Sequence, residues 1–435
     1  MALPTIAERS VGRLPTAARH LTARLCAFTG LCAINLFLSL APVHAADPIK
    51  IGLSLSLTGA TAPAGRQVQT GLEIWRDHVN AKGGLLGRPV ELVYYDDQAN
   101  PANAPGIYAK LMGVDKVDLL IGPYSTNVIA AALPAIIQNR RMTIGIFGLG
   151  ANREYKYTKY FSMNSQGASP RNYSRGFFQL ALQQQPKPAR VALVGADVEF
   201  SRNALDGARE NAKEFGFEVV FERTYPLANT EHATIVRSMQ AAAPDVVYAA
   251  TLPVDTVGIV RASSEVQFKP KLYGGAFLGL LVTGIKQQLG SLINGLVNNE
   301  FYIPAASLQF AGTREFLEEY QKRAQGLGID PLGFTYPPYA YAAGQILAKA
   351  VSETKSLDDD KLADYIRNNT IDTVIGPMSF ADDGEWKTPR IIYAQFQNVS
   401  GNDIGQFKDM SRQVVVWPSE LKTGNLIYPY DQALK

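Results

Sequence analysis

Apolar residues along the chain follow two alternating patterns. Short continuous apolar runs, such as residues 49–57, are typical of buried strands and end at turn residues. Between these runs, apolar residues recur every three or four positions, which predicts helices with one buried face. One such set is Val68, Leu72, Trp75 and Val79, and it ends at the helix stop signal Gly83-Gly84.

The same alternation continues along most of the chain. Further predicted strands are 89–95, 117–121, 142–147, 190–195, 218–224, 245–251, 271–273, 390–397 and 413–417. Further predicted helices are 127–138, 171–184, 202–215, 230–242, 255–267, 314–324, 339–353 and 362–368. Strands that alternate with helices across short connections predict parallel sheets covered by helices on both faces. Two successive series of this kind predict two doubly wound α/β lobes, and the tail adds elements to both.

The first 45 residues have a different pattern. Four arginines and one glutamate precede an apolar run at residues 25–40, and Val43-His44-Ala45 ends in the residues that a signal peptidase reads. We therefore expect residues 1–45 to be a signal peptide, cleaved after Ala45, that exports the protein to the periplasm. The alternative is a membrane anchor, but the apolar run is shorter than the about 20 residues that cross a bilayer.

Loss of this leader changes the composition of the protein. The 42 Lys and Arg and the 39 Asp and Glu fall to 38 of each, so the net charge is about zero and no nucleic-acid partner is expected. Both cysteines leave with the leader, which excludes disulfides and thiolate catalysis. Only His78 and His232 remain, too few for most transition-metal sites, so we expect neither metal nor cofactor.

Candidate catalytic groups are scarce in the remaining chain. Asp96-Asp97 ends a predicted strand and Asp382-Asp383 lies in a predicted turn, so hydrogen bonding at strand ends and turns explains both pairs. His78 is expected to be exposed, because it lies off the apolar face of its helix. No nucleophile is paired with a base, so an enzyme, such as a periplasmic hydrolase, is disfavoured.

Residues that follow strand ends are the best candidates for a ligand site. In open α/β sheets, ligands bind beyond the carboxyl ends of strands, where helices begin with free N–H groups. Helix capping alone is the alternative for the hydroxyls, and the two roles are compatible. The candidate ligand-binding residues are Tyr124, Ser125, Thr126, Phe147, Gly148, Leu149, Phe200, Ala276 and Phe277.

Several short motifs together point to a known family. They are Ile51-Gly52 to Thr58-Gly59, Val79-Asn80-Ala81-Lys82-Gly83-Gly84 with Gly87, Tyr95-Asp96-Asp97, Ile121-Gly122-Pro123, and Asp372-Thr373-Val374-Ile375-Gly376-Pro377 with Phe380 and Gly384. With them the chain resembles the periplasmic type I solute-binding proteins of branched-chain amino acid ABC importers, of the leucine/isoleucine/valine-binding kind. The resemblance covers nearly all of the chain after the leader.

The resemblance implies a type I periplasmic binding protein fold, with two doubly wound parallel-sheet lobes joined by a three-crossover hinge and closing on a small-molecule ligand. It places the N-terminal lobe at residues 46–166 plus 300–390 and the C-terminal lobe at residues 167–299 plus 391–435. The implied partners are ABC permease subunits in the inner membrane, and we expect a monomer.

Roles for single residues also follow from the resemblance. The family's ligand-binding hydroxyls fall at Ser125 and Thr126, its main-chain contacts at residues 147–149, and its second-lobe aromatic at Phe200. Its carboxylate, which holds the ligand's ammonium, is replaced in the loop expected after residues 271–273, where Ala276-Phe277 stands. A buried ammonium without a charged partner costs several kcal/mol, which disfavours an α-amino acid.

We therefore predict a ligand that is an aromatic or apolar carboxylate or an amide. Two alternatives stay open, namely a genuine branched-chain amino acid receptor and a ligand sensor for a membrane kinase. We expect at least two of the candidate aromatic walls to pack within their own lobe. These walls are Tyr124, Phe147, Phe200, Phe277, Phe334 and Tyr336.

Overall fold

A short parallel sheet organises the first part of the computed structural model, which describes residues 47–227 and 231–435. The predicted signal peptide, residues 1–45, lies outside the described residues. The strands of this part are β1 (Ile49–Leu55), β2 (Val90–Asp96), β3 (Leu119–Leu120), β4 (Thr143–Gly145) and β5 (Tyr160–Ser162). β2, β1 and β3 form one parallel sheet in that order, and β4 pairs with β5 in parallel.

Main-chain hydrogen bonds beyond the end of β3 join the two groups of strands. The N–H of Gly122 donates to the carbonyl of Ile144 (2.9 Å), and the N–H of Ser125 donates to that of Ile146 (3.1 Å). The segment after β3 therefore runs beside β4 and beyond its end. As a result, the loops that follow these two strands lie side by side.

A seven-stranded sheet organises the second part. Its strands are β6 (Arg190–Ala196), β7 (Glu218–Tyr225), β8 (Val246–Thr251), β9 (Leu272–Phe277), β10 (Val297–Glu300), β13 (Ile392–Phe396) and β14 (Gln413–Trp417). The order is β14-β13-β10-β9-β8-β6-β7, in which β10 to β7 are parallel and β13 is antiparallel to both its neighbours. A separate antiparallel pair is formed by β11 (Ile371–Thr373) and β12 (Gly376–Met378).

Helices cover both sheets. They are α1 (Ala62–Ala81), α2 (Ala104–Gly113), α3 (Thr126–Gln138), α4 (Pro170–Leu182), α5 (Glu199–Glu214), α6 (His232–Ala241), α7 (Pro253–Glu265), α8 (Thr283–Leu289), α9 (Thr313–Ala324), α10 (Tyr336–Thr354) and α11 (Asp359–Asn368). Leu119 packs in the large core with α1 and α10, whereas Leu120 packs with α2 and α3. Successive strand residues point to opposite faces, so helices cover both faces of the first sheet. No helix of the described residues is both long and apolar enough to span a membrane.

The chain passes between the two parts three times. It leaves the first part after β5, returns after β10 to form α9, α10 and α11, and crosses again between β12 and β13. The predicted fold class, two doubly wound lobes joined by three crossovers, is confirmed. The exact lobe boundaries, at 166/167, 299/300 and 390/391, stay a prediction.

Local details differ from the sequence predictions where packing decides. β9 runs to Phe277, so Ala276 and Phe277 lie inside a strand rather than in a loop. Short strands such as β5 and β10 were not predicted, because a few residues carry no period. His78, predicted to be exposed, is half-buried: its ring nitrogens lie 2.8 Å from the Tyr341 hydroxyl and 2.6 Å from a Glu319 carboxylate oxygen, and its side chain is 36% exposed.

Candidate ligand-binding site

The start of α3 has a strained backbone and lacks a side-chain cap. Ser125, the residue before α3, has φ 80° and ψ 144°, a conformation that glycine favours and other residues adopt at a cost. Its side chain makes no capping hydrogen bond to the helix. The first N–H groups of a helix carry partial positive charge, so α3 offers donors to an anionic or carbonyl oxygen.

The Thr126 hydroxyl connects the start of α3 to the loop after β4. It accepts a hydrogen bond from the N–H of Leu149 (3.0 Å) and donates to the carbonyl of Phe147 (3.4 Å). Phe147 also has a positive φ, 62°. Strained residues cluster at functional sites, where the surrounding structure holds them in place. The two strand-end loops are thus fixed relative to each other before any ligand arrives.

A narrow cavity lies at these two loops, where the lobes meet. It is lined by Thr61, Tyr124, Ser125, Thr126, Asn127, Phe147, Asn164, Phe200, Leu252, Leu278, Phe301 and Tyr336. None of these lining residues carries a charged side chain. The sequence-predicted residues that the structure brings together here are Tyr124, Ser125, Thr126, Phe147 and Phe200.

Aromatic rings form much of the cavity wall. The ring of Phe147 lies 4.7 Å from that of Phe301 and 5.3 Å from that of Tyr336, centroid to centroid, in edge-to-face arrangements. Tyr124 and Tyr336 are 5.5 Å apart and nearly perpendicular. Phe200, from the other lobe, has its ring against Tyr173. Such walls suit a flat or apolar ligand body.

One hydroxyl in the wall, that of Thr61, is buried without a hydrogen-bond partner among the described residues. The buried phenol of Tyr336 has only the Tyr124 phenol as a neighbouring partner. A buried polar group without a partner is costly, so a ligand oxygen that accepts from it gains affinity. Burial raises the pKa of both Tyr336 and Tyr124. The phenols therefore stay protonated at neutral pH and can donate to a ligand.

Hydrogen bonds between the lobes close the cavity. The N–H of Phe200 donates to the Asn127 side-chain oxygen (3.1 Å), and the Asn203 amide donates to the carbonyl of Leu149 (2.8 Å). The cavity leaves only about 20 Å³ for the centre of a water molecule, whereas small-molecule pockets measure about 300–1,000 Å³. A ligand larger than water thus enters only when the lobes or the lining side chains move.

Four predicted site residues lie outside the cavity lining. Leu149 and Gly148 shape the loop, and a Cβ at Gly148 would lie 2.4 Å from the Tyr160 hydroxyl. Ala276 and Phe277 are buried in β9, and the Phe277 ring packs against Tyr273 at 5.8 Å. Their role at the ligand stays untested, and the cavity residue of this segment is the next one, Leu278.

The remaining lining residues were missed or only suggested by the sequence. Leu252 and Phe301 directly follow β8 and β10, so the strand-end rule applied to every strand would have found them. Tyr336, a suggested wall, does line the cavity. Phe334, the other suggestion, does not; it packs near Tyr302 with ring centroids 6.4 Å apart.

Two α/β lobes joined by three crossovers, with an uncharged aromatic cavity between them, are typical of a solute-binding protein. The chain belongs to the periplasmic binding protein family, whose sequence model matches residues 48–398. The family predicted from the sequence is thereby confirmed.

Individual proteins and solved structures are also similar to the chain. The Leu/Ile/Val-binding protein homolog 2 of Brucella abortus (strain 2308) is 24% identical over 379 residues, covering 86% of this chain and 96% of the relative. The substrate binding protein LivJ of Streptococcus pneumoniae, solved with isoleucine, has a TM-score of 0.69 and 19% identity, covering 86% of this chain and 100% of its own. A solute binding protein from R. palustris, solved with benzoate, has a TM-score of 0.70 and 18% identity, and the match covers 85% of this chain and 95% of the relative. These two structures share the fold of the chain.

Proposed function

We propose that the protein is the substrate-binding component of an ABC importer and captures an aromatic or apolar carboxylate, or an amide, between its lobes. The observation that carries this proposal is the cavity itself, which combines aromatic walls with hydroxyl and helix N–H donors and has no charged lining residue. A carboxylate or amide oxygen would lie at the start of α3, and the apolar body of the ligand would lie among Phe147, Phe200 and Phe301.

The lining of the cavity also disfavours an amino acid as the ligand. Leu278, rather than a carboxylate, lines the cavity at the segment where the family places its ammonium partner. An ammonium buried there would lack a counter-charge, at a cost of several kcal/mol. The solved relative with benzoate supports an aromatic acid, and the one with isoleucine keeps the branched-chain amino acid receptor as the competing function.

Location and partners complete the proposal. A protein of this family works in the periplasm, so we infer that residues 1–45 are removed on export and that the mature monomer delivers its ligand to permease subunits in the inner membrane. We assign residues 46–166 plus 300–390 to one lobe and residues 167–299 plus 391–435 to the other. The protein binds and releases its ligand without catalysis.

The experiment is a thermal-shift panel of benzoate, benzamide, hexanoate, leucine and isoleucine on the purified protein. A compound present at about 100 times its Kd stabilises the folded state by about 2.7 kcal/mol. We expect benzoate or benzamide to raise the melting temperature and the two amino acids to leave it unchanged. Stabilisation by isoleucine alone would instead establish the branched-chain amino acid receptor.

A matched pair of variants links any binding to this cavity. Tyr336→Phe removes a buried hydroxyl whose neighbouring partner within the protein is the Tyr124 phenol, so we expect weaker binding with little change in stability. Tyr155→Phe, an exposed tyrosine, is the control and should bind like the unaltered protein. Equal affinity of both variants would move the ligand site elsewhere.

A further inference from the structure

A loop of the first lobe reaches across to the second lobe. It spans residues 325–335, between α9 and α10, and its Asp330 is a buried residue, 8% exposed. The Asp330 side chain points toward the second lobe, as its hydrogen bonds show. This carboxylate accepts two hydrogen bonds from Thr283, the first residue of α8, one from the main-chain N–H and one from the hydroxyl (2.9 Å). α8 packs against α7 in the second lobe, so these bonds join the two lobes.

The same carboxylate is held in place from within its own loop. The N–H groups of Leu332 and Gly333 donate to it at 2.9 and 3.0 Å, and the Tyr320 hydroxyl donates to the main-chain carbonyl of Asp330 at 2.9 Å. Hydrogen bonds to a charged acceptor are roughly twice as strong as neutral ones. Asp330 is therefore oriented before it meets Thr283.

An apolar contact accompanies the polar one. Leu332 is 2% exposed and belongs to the apolar cluster of the second lobe, with Phe277, Leu280 and Leu289. The next residue, Gly333, has φ 63°, and a Cβ there would lie 2.1 Å from the Tyr320 ring, so only glycine fits this turn. The loop thus inserts one side chain into the second lobe while α9 anchors it to the first.

The loop lies beside the ligand cavity without lining it. A cleft of about 300 Å³ is bordered by Ala62 and Pro63 of α1, by Val282 and Gly284, and by residues 328–331. Thr61 and Leu278, which line the ligand cavity, are one and four residues away along the chain from this border. Contacts at this place join the two lobes, so separation of the lobes would break them.

From these contacts we propose that loop 325–335 is a clasp, a segment that holds the lobes closed over the ligand. Asp330 and Thr283 are positioning residues, which raise the affinity for the ligand without contacting the ligand. This inference rests on the proposed function, since it needs a ligand held between the lobes. A contact made only in the closed conformation raises the affinity for every ligand by the same factor, because it shifts the closing equilibrium.

The test compares variants of the whole chain by hydrogen exchange and by binding kinetics with benzoate and isoleucine as probes. We expect Asp330→Ala to raise the dissociation rate of whichever probe binds about tenfold, with the association rate nearly unchanged. Thr283→Val should have a smaller effect of the same kind, and Thr283→Ser, which keeps the hydroxyl, should bind normally. Thr234→Val, at an exposed threonine in α6, is the matched control.

Hydrogen exchange tests the clasp independently of the proposed ligand class. In Asp330→Ala, the amides of α8 should exchange faster, although α8 belongs to the other lobe, while those of α6 stay unchanged. If neither probe binds the unaltered protein, the proposed ligand class fails and exchange in α8 alone decides on the clasp. Unchanged exchange in α8, or a loss of affinity for one probe only when both bind, would overturn it.

Discussion

The two lobes contribute different chemistry to the cavity between them. The first wall, from the first lobe and its returning segment, combines aromatic rings with the hydroxyls of Thr61, Ser125 and Tyr336 and with the start of α3. The second wall, formed by Phe200, Leu252 and Leu278, is entirely apolar. The polar end of a ligand is therefore expected on the first wall, and its apolar body between the aromatic rings of that wall and the second wall.

The walls also differ in how firmly they are built. Both positive-φ residues of the lining, Ser125 and Phe147, lie on the first wall, and Thr126 joins their loops by hydrogen bonds. The second wall contacts the first through isolated hydrogen bonds, such as the one from the N–H of Phe200 to the side-chain oxygen of Asn127. We therefore expect a ligand to bind first to the first wall, before the second wall closes over it.

The largest expected effect comes from putting a charge on the second wall. Leu278→Glu places a carboxylate beside the apolar body of the ligand, so benzoate should bind at least about a hundredfold more weakly. An ammonium would gain a partner there, and isoleucine should bind better than it does to the unaltered protein. Titration calorimetry with both compounds measures the exchange of preference. Leu278→Gln is the uncharged control, and unchanged benzoate affinity in the Glu variant would contradict an apolar second wall.

The next effect tests the firmness of the first wall. Gly148→Ala brings a Cβ to 2.4 Å from the Tyr160 hydroxyl and 2.9 Å from the Ile129 side chain. We expect the free energy of unfolding to fall by about 1–3 kcal/mol, together with a loss of ligand binding. Gly106→Ala is the control, because nothing lies within 4 Å of its Cβ and it lies inside α2, where alanine stabilises. Urea denaturation measures the stability of both variants, and titration calorimetry measures their ligand binding. Equal stability of the two variants would mean that the loop accommodates the added Cβ without strain.

A smaller effect separates strain from binding on the first wall. Ser125→Gly relieves a φ of 80° but removes the hydroxyl, so stability should rise by about 1 kcal/mol while affinity falls. Ser125→Ala keeps the strain and should lower affinity without the gain in stability. Thermal unfolding and calorimetry on the two variants give both quantities. A gain in stability with full affinity in the glycine variant would show that this hydroxyl does not bind the ligand.

The smallest effect concerns a charge behind the walls. Burial raises the pKa of Glu300, at the end of β10, to about 7, although Lys286 and hydrogen bonds from Asn298 and Gln413 oppose the shift. Because the folded state holds this proton more tightly than the unfolded chain, stability should decline as pH rises from about 4.5 to about 7.

In Glu300→Gln this decline should disappear. The change in the free energy of unfolding between pH 6 and 7.5 should therefore be smaller than in the unaltered protein, by about 1 kcal/mol at most. Urea denaturation across this pH range measures it. Glu91→Gln, at an exposed glutamate, is the control and should leave the slope unchanged. A variant with the unaltered slope would show that Glu300 does not titrate in this pH range.

Much of the fold could be predicted because long elements repeat their period several times. The helices that include Val68 and Leu72, or that follow the strands at 190–195 and 245–251, were found with their strands. Elements of three or four residues, such as β5 and β10, carry too few positions to show a period. The extent of β9 was wrong because Gly274 and Gly275 look like a turn, whereas pairing with β8 extends the strand to Phe277.

At the site, the residues found by sequence are those that follow the apolar runs 117–121 and 142–147 or lie at the start of a helix. Tyr124, Ser125 and Thr126 could be placed because the strand before them and the helix after them were both clear. Phe301 and Asn164 follow short strands and were missed.

The sequence by itself determined the two-lobed α/β architecture and the family, and it pointed to the residues at the start of α3, because these depend on local periodicity and on motifs within a few residues of one another. Only the tertiary structure decided that Leu278 faces the cavity while Phe277 packs inside its own lobe, and that Asp330 reaches Thr283 across 47 positions of the chain. The physical reason is that pairing of the lobes brings together residues far apart in sequence. Which side chain of a strand end faces the cleft is settled by the pleat and by packing, neither of which a local pattern records.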